Sequence, residues 1–264
     1  MKALITGASS GIGAAIAREL ASRGIDLILV ARRGYVLKDL KSELSNVKVK
    51  CYQMDISNMK NIEELYKEVR KENIDILVNN AGFGLFGLFN ETDITREFEM
   101  IDLNIKAVHY LTKLFLHDFV KKDKGYILNV ASAAGFTAGP NLSTYYATKN
   151  YVCRLSEAIY YELEVMDSNV SISTLCPGPV DTEFNKVAGG IFKSKGLDPD
   201  YVARVAVKGM FDYKMTIVPS LKMKLALFFM NFISRKTLLK FIYKQQLKKT
   251  NKKRWVITHL SLLY

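Results

Sequence analysis

The sequence predicts an α/β fold: one doubly wound parallel sheet of about seven strands, followed by an amphipathic helical extension. Two observations carry this. Short apolar runs alternate with amphipathic segments along the chain at a βαβ rhythm, and several runs, such as LILV at 27–30 and DILV at 75–78, are near-continuously apolar. A strand covered on both faces by helices needs no polar side, so continuous runs suit a parallel sheet.

Taken in order, the strand-like runs are 3–6, 26–31, 47–52, 74–79, 125–131, 170–176 and 215–218. Helical patterns fall between them at 11–23, 35–44, 58–72, a pair around 96–121, 145–166 and 199–213. With no internal repeat and no low-complexity linker, residues 1–218 read as one domain and 219–264 as an appendage. A chain of 264 residues is within the range of one α/β unit.

The net charge of +12 resolves once it is located. Eleven of the 38 Lys and Arg residues lie after position 218, where there is no Asp or Glu, so the body is within one charge of neutral. A nearly neutral body argues against a nucleic-acid surface. Cys51, Cys153 and Cys176 are far apart and lack metal-ligand or disulfide spacing; they suit a reducing cytosol, and no metal is expected. The N-terminus enters a strand at once without a charged then apolar leader, which points to a cytoplasmic protein. The longest uncharged run of the tail, 225–234, is about half of the ~20 residues a spanning helix needs.

The turn TGASSGIG, residues 6–13, follows the first strand and opens the first helix. Gly7 suits the tight turn, Gly11 the approach of backbone to a pyrophosphate, and Gly13 close packing of helix on sheet. The helix start turns N–H groups toward phosphates, so Gly7, Ser9, Ser10, Gly11, Ile12 and Gly13 are candidate cofactor contacts in a Rossmann-type fold. The second strand ends LILVARR, with Ala31 where an NAD site carries an acidic residue and with Arg32 and Arg33 next. Guanidinium groups there can bind a 2′-phosphate, which favours NADP over NAD.

YYATK places Tyr145 and Lys149 one helical turn apart, on one face. An ammonium nearby is expected to stabilise the phenolate and suit the tyrosine to acid–base work. Tyr146 points about 100° away and reads as packing. Ser132, in NVASAAG at a strand end, has a hydroxyl for a substrate carbonyl.

Together these residues resemble the short-chain dehydrogenase/reductase family. TGASSGIG, NNAG (79–82), Asn104 in IDLNI, Ser132, Tyr145-x-x-x-Lys149 and PGPVDT (177–182) stand in the family's order over about residues 1–218. The resemblance implies an NADP(H)-dependent oxidoreductase interconverting a carbonyl and an alcohol, with Tyr145 as general acid or base. Lys149 would lower its pKa and bind the nicotinamide ribose, Ser132 would orient the carbonyl, and Asn104 would hold a water linking Lys149 to solvent. Asp55 would meet adenine, Asn79, Ala81 and Gly82 the adenosine ribose, and Pro177, Gly178, Val180 and Thr182 the nicotinamide end. GGIFKSKG (189–196) falls where the family has a substrate lid.

Substrate identity is less determined. The family's 3-oxoacyl carrier-protein reductases usually end in a strand resembling ITGQ…VDGG, whereas this chain ends its domain with MTIVPS and a basic, apolar tail. A lipophilic carbonyl compound is the expected substrate; a 3-oxoacyl-thioester reductase and a non-enzymatic dinucleotide sensor are the alternatives. In the tail, Leu225, Phe228, Phe229, Phe232 and Ile233 form one apolar stripe, and Lys236, Lys240, Lys244 and Lys248 a basic row opposite Leu238, Phe241 and Ile242. Two readings stay open: residues 222–254 meet the inner face of an anionic membrane, or the stripe covers the substrate entrance or a second subunit. The closing WVITHLSLLY has no interpretable pattern.

Overall fold

A computed structural model describes residues 1–189 and 196–247. Seven parallel strands form a single sheet in the order β3-β2-β1-β4-β5-β6-β7. They are β1 Lys2–Thr6, β2 Asp26–Ala31, β3 Val49–Gln53, β4 Ile76–Asn79, β5 Gly125–Val130, β6 Val170–Leu175 and β7 Thr216–Ile217. The register is continuous across the centre, with Leu4 opposite Ile28 and Leu77, and Leu77 opposite Ile127.

Helices cover both faces, as the continuously apolar strands require. On one face α1 (Gly11–Ser22), α2 (Gly34–Glu43) and α8 (Pro199–Phe211) close a core around Ile5, Leu29, Val78, Leu128 and Leu175. On the other, α3 (Met59–Val69), α5 (Val108–Lys121) and α6 (Ser143–Val165) close a second core around Leu4, Ile28, Leu77, Ile127 and Ile172. Successive residues of one strand thus serve opposite cores.

The two helices expected around 96–121 run on from one another. Helix α4 (Ile94–Ile101) passes through a π-helical segment, Asp102–Ala107, directly into α5. A π segment widens the turn and is frequent at functional sites; this one carries Asn104. The short α7 (Phe184–Val187) follows PGPVDT and was not anticipated.

The tail does not continue as one helix. Helix α9 (Leu221–Met230) is capped by Ser220, whose Oγ accepts from Met223 N at 3.3 Å, and α10 (Arg235–Leu247) starts after a break at 231–234. Ser234 accepts from Thr237 N and so restarts the helix. No helix among the described residues is long and apolar enough to cross a membrane.

Candidate active site

The carboxyl ends of β1, β2, β4, β5 and β6 deliver their following loops to one crevice, where the strand order reverses between β1 and β4. The crevice is a cavity of about 850 Å³. Its floor comes from the sheet ends and its roof from α9 and α10.

The turn after β1 is built to a tight tolerance. Gly7 has φ +65°, and a Cβ there would stand 2.8 Å from Ala81 Cα, so both conformation and space demand glycine. Asn80 fastens the turn: its Nδ2 donates to Thr6 O at 3.0 Å and to Gly7 O at 3.1 Å. A Cβ at Gly13 would lie 2.5 Å from Gly7 O, so this glycine is spent on packing helix against turn.

Helix α1 then starts with no side-chain cap from Ser10 and no acidic residue in its first turn. Its first N–H groups and the positive end of its dipole suit an anionic diphosphate; the Glu183 carboxylate also reaches Ser10 at this point. Ser9, Ser10, Gly11 and Ile12 line this part.

At the end of β2 the two arginines differ. Arg33 is tied down: its Nε and Nη2 donate to Ser9 Oγ at 3.3 Å, and Nη2 also reaches Glu183 Oε2 at 2.8 Å. Arg32 stands 66 % exposed, with Asp55 Oδ2 as its nearest acid at 3.9 Å. Asp55 is held by Ser57, whose N and Oγ donate to its Oδ1. Glu183, whose carboxyl Arg33 holds below its usual range, was not singled out in the sequence. It lies 150 residues from Arg33, and nothing local marks the pair.

At the other end, Ser132, Tyr145 and Lys149 line the crevice together. Ser132 sits in extended backbone, and its Oγ accepts from Ala134 N at 3.1 Å, which fixes the hydroxyl. Lys149 is buried and donates from Nζ to Val130 O at 2.9 Å. Its Nζ lies 5.9 Å from the Tyr145 ring centroid.

Burial governs the electrostatics here. It lifts the Tyr145 phenol well above its ordinary value, against a hydrogen bond with Ser132 that pulls the other way. The sequence-based expectation ran in the opposite direction, from Lys149. Burial also lowers the Lys149 ammonium from 10.5 to about 8. The phenol therefore keeps its proton across neutral pH, and Lys149 is still cationic there.

Asn104 and Asn79 lie beneath the crevice. Asn104 is fully buried; its Nδ2 donates to Phe83 O at 2.9 Å and Thr148 Oγ1 at 3.1 Å, and its Oδ1 accepts from Phe83 N at 3.1 Å. It thus clamps the NNAG loop to α6. A Cβ at Gly82 would press on Asn104 Oδ1 at 2.8 Å. Asn79 is buried on Asn129 Oδ1 and Thr112 Oγ1 and does not reach the crevice; its neighbour Asn80 does. Ala81, Gly82, Pro177, Gly178, Val180 and Thr182 line it. Of the proposed lid, residues 190–195 lie outside the described residues.

The tail closes the crevice above Tyr145. Met223 and Leu227 of α9 pack on Ala131, Val152 and Phe136, and Met223 Cε would meet a Cβ at Gly178 at 2.8 Å. Ile242 and Gln246 of α10 are buried, and Gln246 Nε2 donates to Tyr146 Oη at 2.9 Å. Tyr146 thus lines the crevice and anchors its roof, beyond the packing expected of it. Phe184 faces Tyr145 from the side, ring centroids 5.2 Å apart. Around the reacting end the surroundings are apolar: Leu142, Phe184, Leu227, Met230 and Ile233.

A family model described as short chain dehydrogenase matches residues 1–189. An uncharacterised oxidoreductase of Staphylococcus saprophyticus is 32% identical over 210 residues, covering 78% of this chain and 88% of its own. Among solved structures, a short-chain dehydrogenase from Sphingobium yanoikuyae in complex with NADPH aligns with TM-score 0.80 and 31% identity, covering 90% of this chain and 95% of that one. A bulky-bulky ketone specific alcohol dehydrogenase from Comamonas testosteroni aligns with TM-score 0.76 and 28% identity, over 90% and 93%.

Proposed function

The chain belongs to the short-chain dehydrogenase family, and from that premise we propose that it is an NADP(H)-dependent oxidoreductase interconverting a carbonyl and an alcohol on a lipophilic small molecule. One observation carries the reading: Ser132, Tyr145 and Lys149 share a single crevice with an uncapped, glycine-opened helix start, under an apolar roof. When bound, the nicotinamide supplies or accepts the hydride.

The chain's own residues do the rest. The N–H groups at the start of α1 and the Gly7 turn hold the diphosphate, Asp55 faces the adenine, and Ala81 and Gly82 admit the ribose closely because neither carries a long side chain. Pro177, Gly178, Val180 and Thr182 hold the nicotinamide end. Ser132 Oγ, already oriented by Ala134 N, donates to the substrate carbonyl. Tyr145 Oη gives its proton to that oxygen in reduction and takes it back in oxidation. Lys149 holds positive charge beneath both and reaches the ribose hydroxyls. Asn104 is a positioning residue that fixes the loop against α6. Apolar contacts from Leu142, Phe184, Leu227, Met230 and Ile233 select a bulky, water-poor substrate, as the Comamonas testosteroni relative's substrate preference also suggests. Three free cysteines suit a reducing, cytoplasmic setting.

The preference for NADP rests on Arg32, whose guanidinium is exposed and only loosely paired, and on the NADPH complex of the Sphingobium yanoikuyae relative. Losing a charge-assisted contact to a 2′-phosphate and gaining a like charge costs about ten- to a hundred-fold in affinity. Arg32→Asp is therefore expected to weaken NADPH binding by that factor and NADH binding by less than about three-fold. Fluorescence titration with both cofactors measures it, and equal losses would remove Arg32 from the account.

The Lys149 charge fails as pH rises through about 8. Because kcat/KM for the cofactor reports ionisations of the free enzyme, it is expected to fall above that pH. A flat profile to pH 10 would contradict a role for the ammonium. The reaction itself is tested by NADPH oxidation with a panel of ketones and aldehydes of graded size.

A further inference from the structure

Helices α9 and α10 have a second face, turned away from the crevice. Leu221, Leu225, Phe228 and Phe232 recur at four- and three-residue intervals and are 72%, 51%, 58% and 74% exposed. Phe228 and Phe232 stack edge to face, 5.4 Å between centroids. Phe229, Ile233 and Phe241 are also exposed, and these three line the crevice as well, so the outer patch runs without a break into the mouth above Tyr145. Contiguous exposed aromatic surface of this kind marks an interaction site.

The chemistry around the patch selects its occupant. Lys222, Lys224, Arg235, Lys236, Lys240 and Lys244 surround it, all exposed, and none forms an ion pair with a described residue. No Asp or Glu follows Asp212 in the sequence. A second copy meeting this face symmetrically would bring two all-basic rims together, which like charges oppose. Apolar side chains ringed by cations with no acidic partner among the described residues match the acyl boundary and headgroups of an anionic bilayer.

We propose that this face docks in the interfacial layer of an anionic lipid bilayer, with the crevice mouth opening toward the acyl chains. The second half rests on the lipophilic-carbonyl reading above. A substrate dissolved in the bilayer then passes between Phe229, Ile233 and Phe241 to Tyr145 without crossing water. The inner and outer faces of the tail thus have separate duties, roof and anchor, which explains why α9 carries apolar side chains both toward the crevice and toward solvent.

The test uses the full chain with NADPH and flotation on vesicles of phosphatidylcholine, alone or with about one-third phosphatidylglycerol. Binding is expected on the anionic vesicles and weak on the zwitterionic ones, falling about five-fold for each of Lys222→Gln and Lys224→Gln. Phe228→Asp with Phe232→Asp is expected to reduce binding at least about a hundred-fold. These two side chains do not line the crevice, so NADPH affinity and turnover of a small water-soluble ketone should stay within about two-fold. Turnover of a vesicle-dissolved ketone should fall with binding. Absence of wild-type binding overturns the proposal, as does binding that the double variant leaves intact. Self-association in analytical ultracentrifugation without vesicles, lost in the double variant, overturns it in favour of a subunit interface; capture only by an acidic protein overturns it in favour of a protein partner. If no ketone is turned over while vesicle binding follows this pattern, the lipophilic-carbonyl reading fails and the docking surface stands.

Discussion

Tyr145→Phe is expected to lower carbonyl reduction by about a thousand-fold or more while leaving NADPH affinity within about two-fold. The phenol is buried among Phe184, Leu142 and Ser132 and keeps its proton across neutral pH. Removing its hydroxyl takes away the proton source without changing the shape of the wall. General acid catalysis typically contributes about 10² to 10⁴, and the neighbouring hydroxyls have other places: Ser132 Oγ, fixed by Ala134 N, orients the carbonyl, and Tyr146 Oη accepts from Gln246 in the roof. Steady-state kinetics with a fluorescence titration separates the two quantities. Equal activity in both proteins would assign the proton to another group.

Lys149→Met is expected to move activity and stability in opposite directions. Activity should fall about a hundred-fold or more, because charge beneath the reacting oxygen is lost. Stability should rise. Burial lowers the Lys149 pKa from 10.5 to about 8, so at pH 7 the folded protein holds an ammonium that the unfolded chain hydrates better. That shift is worth about 3 kcal/mol at most, reduced by the lost bond to Val130 O. Between about pH 8 and 10.5 the unfolded state binds more protons than the folded one, so wild-type stability should climb with pH and the advantage of Lys149→Met should shrink. Denaturant titrations of both proteins at pH 7 and pH 10 read this directly. A variant less stable at pH 7 would show that Lys149 also supports the fold.

The sheet was readable because each strand must bury both faces, which leaves apolar runs such as LILV and DILV with no alternation to confuse them. Ser132, Tyr145 and Lys149 were readable because their relations are local: one helical turn, one strand end. What escaped depends on contacts between distant segments. Asn80 is chemically like Asn79, and only the approach of β1 to β4 decides which of the two reaches the Gly7 turn. Glu183 meets Arg33, and Gln246 meets Tyr146, across 150 and 100 residues. The direction of the Tyr145 shift depends on burial, which spacing along the helix does not encode. In the tail, the apolar stripe of Leu225, Phe228 and Phe232 was visible, but the break at 231–234 and the folding of α10 back over the crevice required the tertiary structure.

Turnover of a graded ketone series decides whether the crevice reduces bulky apolar carbonyls with NADPH, as proposed above. With NADPH and product detected, kcat/KM is expected to rise with the apolar size of the ketone, as the roof of Leu227, Met230 and Ile233 requires. It should be at least about ten-fold higher with NADPH than with NADH. NADPH binding without turnover of any ketone or aldehyde would contradict the account and leave a dinucleotide-binding protein that performs no reduction.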